Sequence, residues 1–103
     1  MADIYITQYA RLGDGERGFL QTGEEPNLGT ATVTIGAASA QSATLDADTR
    51  FVCISTEAAC SVAFGSNPTA VKATSRRLPA AGEYWFGVEG GLARGGCKVA
   101  VIE

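Results

Sequence analysis

Residues 63–103, AFGSNPTAVKATSRRLPAAGEYWFGVEGGLARGGCKVAVIE, alternate short period-two segments with Gly and Pro punctuation. In CKVAVI, Cys97, Val99 and Val101 fall on one side of an extended chain, opposite Lys98, Ala100 and Ile102. In the run 83–88, Tyr84, Phe86 and Val88 oppose Trp85 and Gly87 in the same way. Pro79 lacks a ladder donor and stops the extended piece 72–78, while Gly82 permits the bend that follows. Gly65, Ser66, Asn67 and Pro68 form a turn cluster at which the chain reverses or changes sheet. This spacing predicts the closing strands of an antiparallel β-module.

The preceding residues continue the pattern. Ala31, Val33 and Ile35 alternate with Thr32 and Thr34 up to Gly36, and a second alternation follows over 41–45. Asp46, Ala47 and Asp48 supply turn chemistry before RFVCIST, where Phe51 and Cys53 point one way and Val52 and Ile54 the other. Both sets are apolar, so this strand is expected to be covered on both sides. Glu57, Ala58 and Ala59 then read as the turn of a hairpin whose return strand carries Cys60, Val62 and Phe64 on one face. Neither GAASAQSA nor the Gly-rich EGGLARGG carries a helical stripe of large apolar residues, and the latter reads as a loose loop. The expected fold is all-β: an antiparallel β-sandwich or jelly-roll-like barrel over residues 30–103.

Residues 1–29 read differently. One strand candidate, 3–9, is followed by LGDGERGFLQTGEEPNLG, which is charged, Gly-rich and poor in apolar anchors. The expectation is an extended N-terminal arm. Ile4, Tyr5, Ile6 and Tyr9 are too apolar for a free tail and become candidate contacts with a neighbouring subunit or partner surface.

Composition excludes several functions. The 103 residues carry a net charge of -3, which disfavours direct nucleic-acid binding. The chain has no His, the commonest general acid/base and the usual partner of a Ser or Cys nucleophile, so no enzyme is expected. The glycine runs fit no phosphate-cradling pattern, and no cofactor is expected. Asp46 and Asp48, like Asp14 and Glu16, have cation-ligand spacing, but without the rest of an EF-hand loop they read as turn and loop residues rather than a metal site. MADIYITQYARLGDG lacks the layout of a secretory signal, and no apolar run is long enough to span a bilayer. A chain that starts in the cytosol, without membrane insertion, is the expectation. Charged residues make up only 18% of the chain, below the average of roughly 25%, as expected of a surface partly covered by neighbours.

The odd set Cys53, Cys60 and Cys97 shows no CxxC pair. Buried, inert thiols are the simpler reading; the alternative is a disulfide, and Cys97 or another subunit suits it better than a Cys53–Cys60 pair across a hairpin. Arg76 and Arg77 can stack on Trp85 or Tyr84, pair with an acidic surface, or sit on an exposed strand edge. The adjacent aromatics of GEYWFG cannot all face one core, so at least one meets solvent or a partner. Arg76, Arg77, Tyr84 and Trp85 thus join the interface candidates. An exposed aromatic of this kind also suits a sugar.

FGSNPTA, SRRLPAAGEYWFGVEGG and the terminal CKVAVIE together resemble small virion proteins of tailed bacteriophages, in which a G-x-N-P-T-A turn, an R-L-P-A-G corner, an aromatic strand and a K-V-A-V-I strand recur. The resemblance covers residues 51–103. The chain departs from it in the extra Ala81 before Gly82 and in a longer Gly-rich loop at 90–96. It implies a non-catalytic, oligomeric β-sandwich that decorates or cements a capsid, with the major capsid protein or other virion proteins as partners. The implied location is the virion, assembled in the host cytoplasm. A glycan-binding or adhesion module of a phage fibre is the alternative.

Overall fold

A computed structural model describes the backbone of residues 2–15, 18–23 and 25–103 and the side chains of 2–11 and 25–103. Its strands are β1 (Asp3–Tyr9), β2 (Leu12–Gly15), β3 (Gly18–Gly23), β4 (Gly29–Thr34), β5 (Ala40–Gln41), β6 (Phe51–Thr56), β7 (Cys60–Gly65), β8 (Arg76–Leu78), β9 (Gly82–Gly87) and β10 (Lys98–Ile102), with one short helix, α1 (Gly90–Gly95), before the last strand. Two four-stranded antiparallel sheets form the sandwich, in the orders β4-β1-β6-β9 and β5-β10-β7-β8; β2 and β3 pair as a separate hairpin. The fold is the expected all-β sandwich.

The pairing has a simple logic. β4, β5, β6 and β7 run outward along the chain and pair in turn with β1, β10, β9 and β8. This is one long antiparallel ribbon, turned at β7–β8 and rolled so that successive segments fall in alternate sheets, the construction of a jelly roll. The returning limb would run from β10 into β1, but the chain supplies β1 from its other end. Residues 2 and 103 accordingly lie side by side: Ile35 N–H donates to the Ala2 carbonyl at 2.9 Å, and Glu103 N–H to the neighbouring Gly36 carbonyl at 2.9 Å.

The expected N-terminal arm is therefore corrected at residues 3–9. β1 is an inner strand, bonded to β4 on one side and β6 on the other within the same chain. Ile4 and Ile6 are 0% exposed and belong to the core with Val33, Val52 and Ile54 from their own sheet and Val62, Leu78, Val99 and Val101 from the other. Burying each isoleucine contributes about 1.5–3 kcal/mol, which draws β1 into the sandwich rather than onto a neighbour.

The hairpin expected at Glu57–Ala59 is also replaced. β6 and β7 belong to different sheets. The Thr56 hydroxyl donates to the Ala58 carbonyl at 2.6 Å and accepts from Ala58 N–H at 3.3 Å, a local bond pattern that carries the chain across the sandwich instead of back along it. The loop EGGLARGG contains α1, started by Glu89, whose carboxylate accepts from Gly91 N–H at 2.8 Å and Leu92 N–H at 2.7 Å. Gly96 ends it at φ +99°, a conformation that side chains disfavour.

Candidate contact face

The outer surfaces of the two sheets differ. On the β5-β10-β7-β8 sheet, residues 66–75 cross the outer face. Gln41 Nε2 donates to Asn67 Oδ1 at 2.9 Å and to the Pro68 carbonyl at 2.7 Å, and Ala70 N–H donates to Ser39 Oγ at 2.9 Å. Beneath this cover Ser61 and Ala100 are fully buried. The chain covers part of this face itself, with Val71 of the covering segment 47% exposed.

The outer face of the β4-β1-β6-β9 sheet carries an aromatic cluster. β1 turns Tyr5, Thr7 and Tyr9 outward because Ile4, Ile6 and Gln8 face in, and β6 adds Phe51, Cys53 and Ser55 by the same alternation. β9 contributes Glu83 and Trp85 in register with Ser55 and Cys53. The Tyr9 and Phe51 rings stack at 5.4 Å and 16°, and Trp85 leans against both, at 5.6 and 5.9 Å. Trp85 is nevertheless 48% exposed, and Tyr5, on the same face, 42%.

Acidic groups edge this platform. The Tyr9 hydroxyl donates to Glu25 Oε2 at 2.8 Å, and burial together with that bond pushes the phenol up to about 12. The Cys53 thiol donates to Glu83 Oε2 at 3.4 Å; burial first, and the carboxylate second, push it up to about 11. A thiol held this way is neutral at physiological pH and a poor nucleophile. Burial likewise raises Cys60 and Cys97. All three cysteines are free and buried, so the disulfide alternative among Cys53, Cys60 and Cys97 does not form within the chain.

The eight interface candidates separate. Tyr5, Tyr9 and Trp85 share the outer face of their sheet, Tyr9 and Trp85 in ring contact, whereas Ile4 and Ile6 lie inside the core. Tyr84 faces the sandwich interior and its hydroxyl donates to the Ala80 carbonyl at 2.8 Å. Arg76 stacks on neither Trp85 nor Tyr84; its guanidinium lies 5.5 Å from the Phe86 ring centroid, closing the sandwich edge where Phe64 meets Phe86 at 5.4 Å. Arg77, next to Arg76 on β8, turns to the other face of the same sheet and donates to Ser61 Oγ at 3.2 Å. Phe51 and Glu83 complete the platform and were not among the expected contacts. The apolar alternation of RFVCIST marks Phe51, but only the β1–β6–β9 register brings it beside Tyr9 and Trp85.

Asp46 closes its own turn, its carboxylate accepting from Asp48 N–H at 2.8 Å. Among the described residues no group of three or more Cys, Asp or Glu side chains is placed to hold a metal ion, and the Asp14 and Glu16 side chains lie outside the described residues. An open cleft of about 440 Å³ lies between Ala2, Ile35, Ala58, Lys72, Arg77 and Glu103. Comparison with known proteins finds no matching family model, no similar curated protein and no similar solved structure. Among the described residues, no helix is long and apolar enough to cross a membrane.

Proposed function

We propose that the chain is a non-catalytic structural protein of a tailed-phage particle, one that decorates or cements the capsid by binding neighbouring virion subunits and copies of itself. The observation that carries this reading is the asymmetry between the two sheet faces. One is partly covered by the chain's own loop; the other offers a stacked aromatic platform with Trp85 half-exposed. Preorganised aromatics of this kind lose little conformational freedom on contact and suit a protein interface. Mechanical reinforcement needs buried area and fixed geometry rather than proton transfer, in keeping with a sequence without His. Jelly-roll sandwiches occur in both capsid and lectin domains, so the fold by itself does not choose between them.

Electron microscopy of particles assembled with and without the chain tests this reading. Extra density on the capsid exterior in the first and its loss in the second is the expected result. A chain absent from purified particles overturns it. The exposed indole beside the Glu83 carboxylate also suits a sugar, the fibre-adhesion alternative; glycan-array binding that Trp85→Ala abolishes, with no chain on the capsid, would favour that reading.

A further inference from the structure

The edges of the sandwich are not equally guarded. β5 has two residues and β8 three, while β9 carries the charged Glu83. Short or charged edges resist pairing with another chain. β4, GTATVT, is six residues long, without charge, Pro or a register break in its pairing with β1. Moreover, residues 26–45 contain no Asp, Glu, Lys or Arg, so the run on either side of β4 is uncharged too.

The register identifies which backbone groups of β4 are unused. Ile35 N–H bonds to the Ala2 carbonyl, which makes that pair, and with it Ile4–Val33 and Ile6–Ala31, the bond-exchanging pairs of the β1–β4 ladder. The N–H and C=O groups of Thr30, Thr32 and Thr34 therefore point away from β1, and all three residues are exposed. Among the described residues no strand pairs with this edge.

We propose that β4 is a homotypic pairing edge, joining two copies of the chain antiparallel across a twofold axis at Thr32. In that register Thr30 faces the partner's Thr34, Thr32 faces its own copy, and each of these pairs exchanges two backbone hydrogen bonds. The two β4-β1-β6-β9 sheets become one continuous sheet of twice the width. Threonines meet threonines, a favourable cross-strand combination, and no charge meets its own like. A second copy suits the edge better than a charged peptide, because nothing along 26–45 would pair with its charges.

This names a surface and a symmetry for the self-association within the proposed function, and rests on that reading only there. The test uses the purified chain without particles, so it can fail while Trp85-dependent capsid binding stands, or succeed while capsid binding fails. Sedimentation across a concentration series is combined with residue-resolved amide exchange. The expected result is a dimer in which the Thr30, Thr32 and Thr34 amides gain protection with concentration while those of Trp85 and Gly87, on the opposite edge, do not. Thr32→Pro removes an outward donor on each copy without touching the β1 ladder and weakens the dimer about tenfold or more. Thr32→Lys, which sets like charges face to face, also weakens it and leaves the fold intact if the proline variant perturbs it. A chain that stays monomeric at high concentration, a dimer whose Thr30, Thr32 and Thr34 amides remain unprotected, or one indifferent to Thr32→Lys overturns the proposal.

Discussion

Gln8 ties the inner strand β1 to the loop before β6 through a single oxygen. Its Oε1 accepts from Asp46 N–H at 2.7 Å and from the hydroxyl of Thr49, itself fully buried, at 3.1 Å. Gln8→Leu keeps the volume but strands the Thr49 hydroxyl, and is expected to lower stability by about 1–3 kcal/mol, read from urea denaturation. The buried thiols make a second prediction. Cys53 rises from 9.0 to about 11 and Tyr9 from 10.0 to about 12, so above pH 9 the unfolded chain releases protons that the folded chain retains. Their contribution to stability is complete below pH 9 and is lost progressively as pH rises toward 12. Thermal melts should show a falling Tm over that range, and alkylation of the native chain at pH 8 should be far slower than in denaturant. Rapid native alkylation of Cys53 would contradict the burial described. The thiol environment was legible as apolar strand positions, but the Glu83 partner was not, since it arises from a cross-strand neighbour 30 residues away.

The last two strands were readable because each alternates cleanly between turn residues: the faces assigned to 83–88 and 97–102 are those observed. The extended piece expected at 72–78 shrinks to β8, because Thr74 and Ser75 N–H groups both donate to the Val71 carbonyl and fold 71–75 into a turn. Three elements were not readable, each for a definite reason. β1 alternates as well as any strand, yet the charged, Gly-rich run after it made the whole N-terminus read as an arm; its membership of the core depends on pairing with residues 51–56, which no local pattern encodes. The β6–β7 crossing turns on one hydroxyl, Thr56, rather than on turn composition. α1 spans six residues, too few for a helical stripe, and rests on the Glu89 cap. The amides of Gly91 and Leu92 hold that carboxyl below its usual 4.5, so the cap stabilises α1 above that value and fails as pH falls through the lowered one. Glu89→Gln should speed amide exchange at Gly91 and Leu92 at neutral pH while leaving β10 protected; equal loss in β10 would mean that α1 and the sheet open together.

The rolled ribbon accounts for the shape of the whole molecule, including the meeting of residues 2 and 103 beside Ile35 and Gly36. Since β1 completes the limb that β10 leaves unfinished, joining those two residues through a short Gly/Ser linker and opening the chain within the β2–β3 hairpin should give a permutant that folds cooperatively with an unchanged β-sheet circular dichroism spectrum. A permutant that only collapses would show that β1 must be free at its start to enter the sheet. On the functional side, the two sheet faces differ: one is partly covered by residues 66–75, and the other exposes Tyr5 and Trp85, with Trp85 packed against the Tyr9 and Phe51 rings. That platform is where the proposed virion contact resides. The most direct test is electron-microscopic occupancy of the chain on particles assembled with the Tyr5→Ala/Trp85→Ala double variant, its fold verified by circular dichroism. The account predicts that density for the chain falls to background while wild type fills its sites; a folded double variant at full occupancy would contradict it.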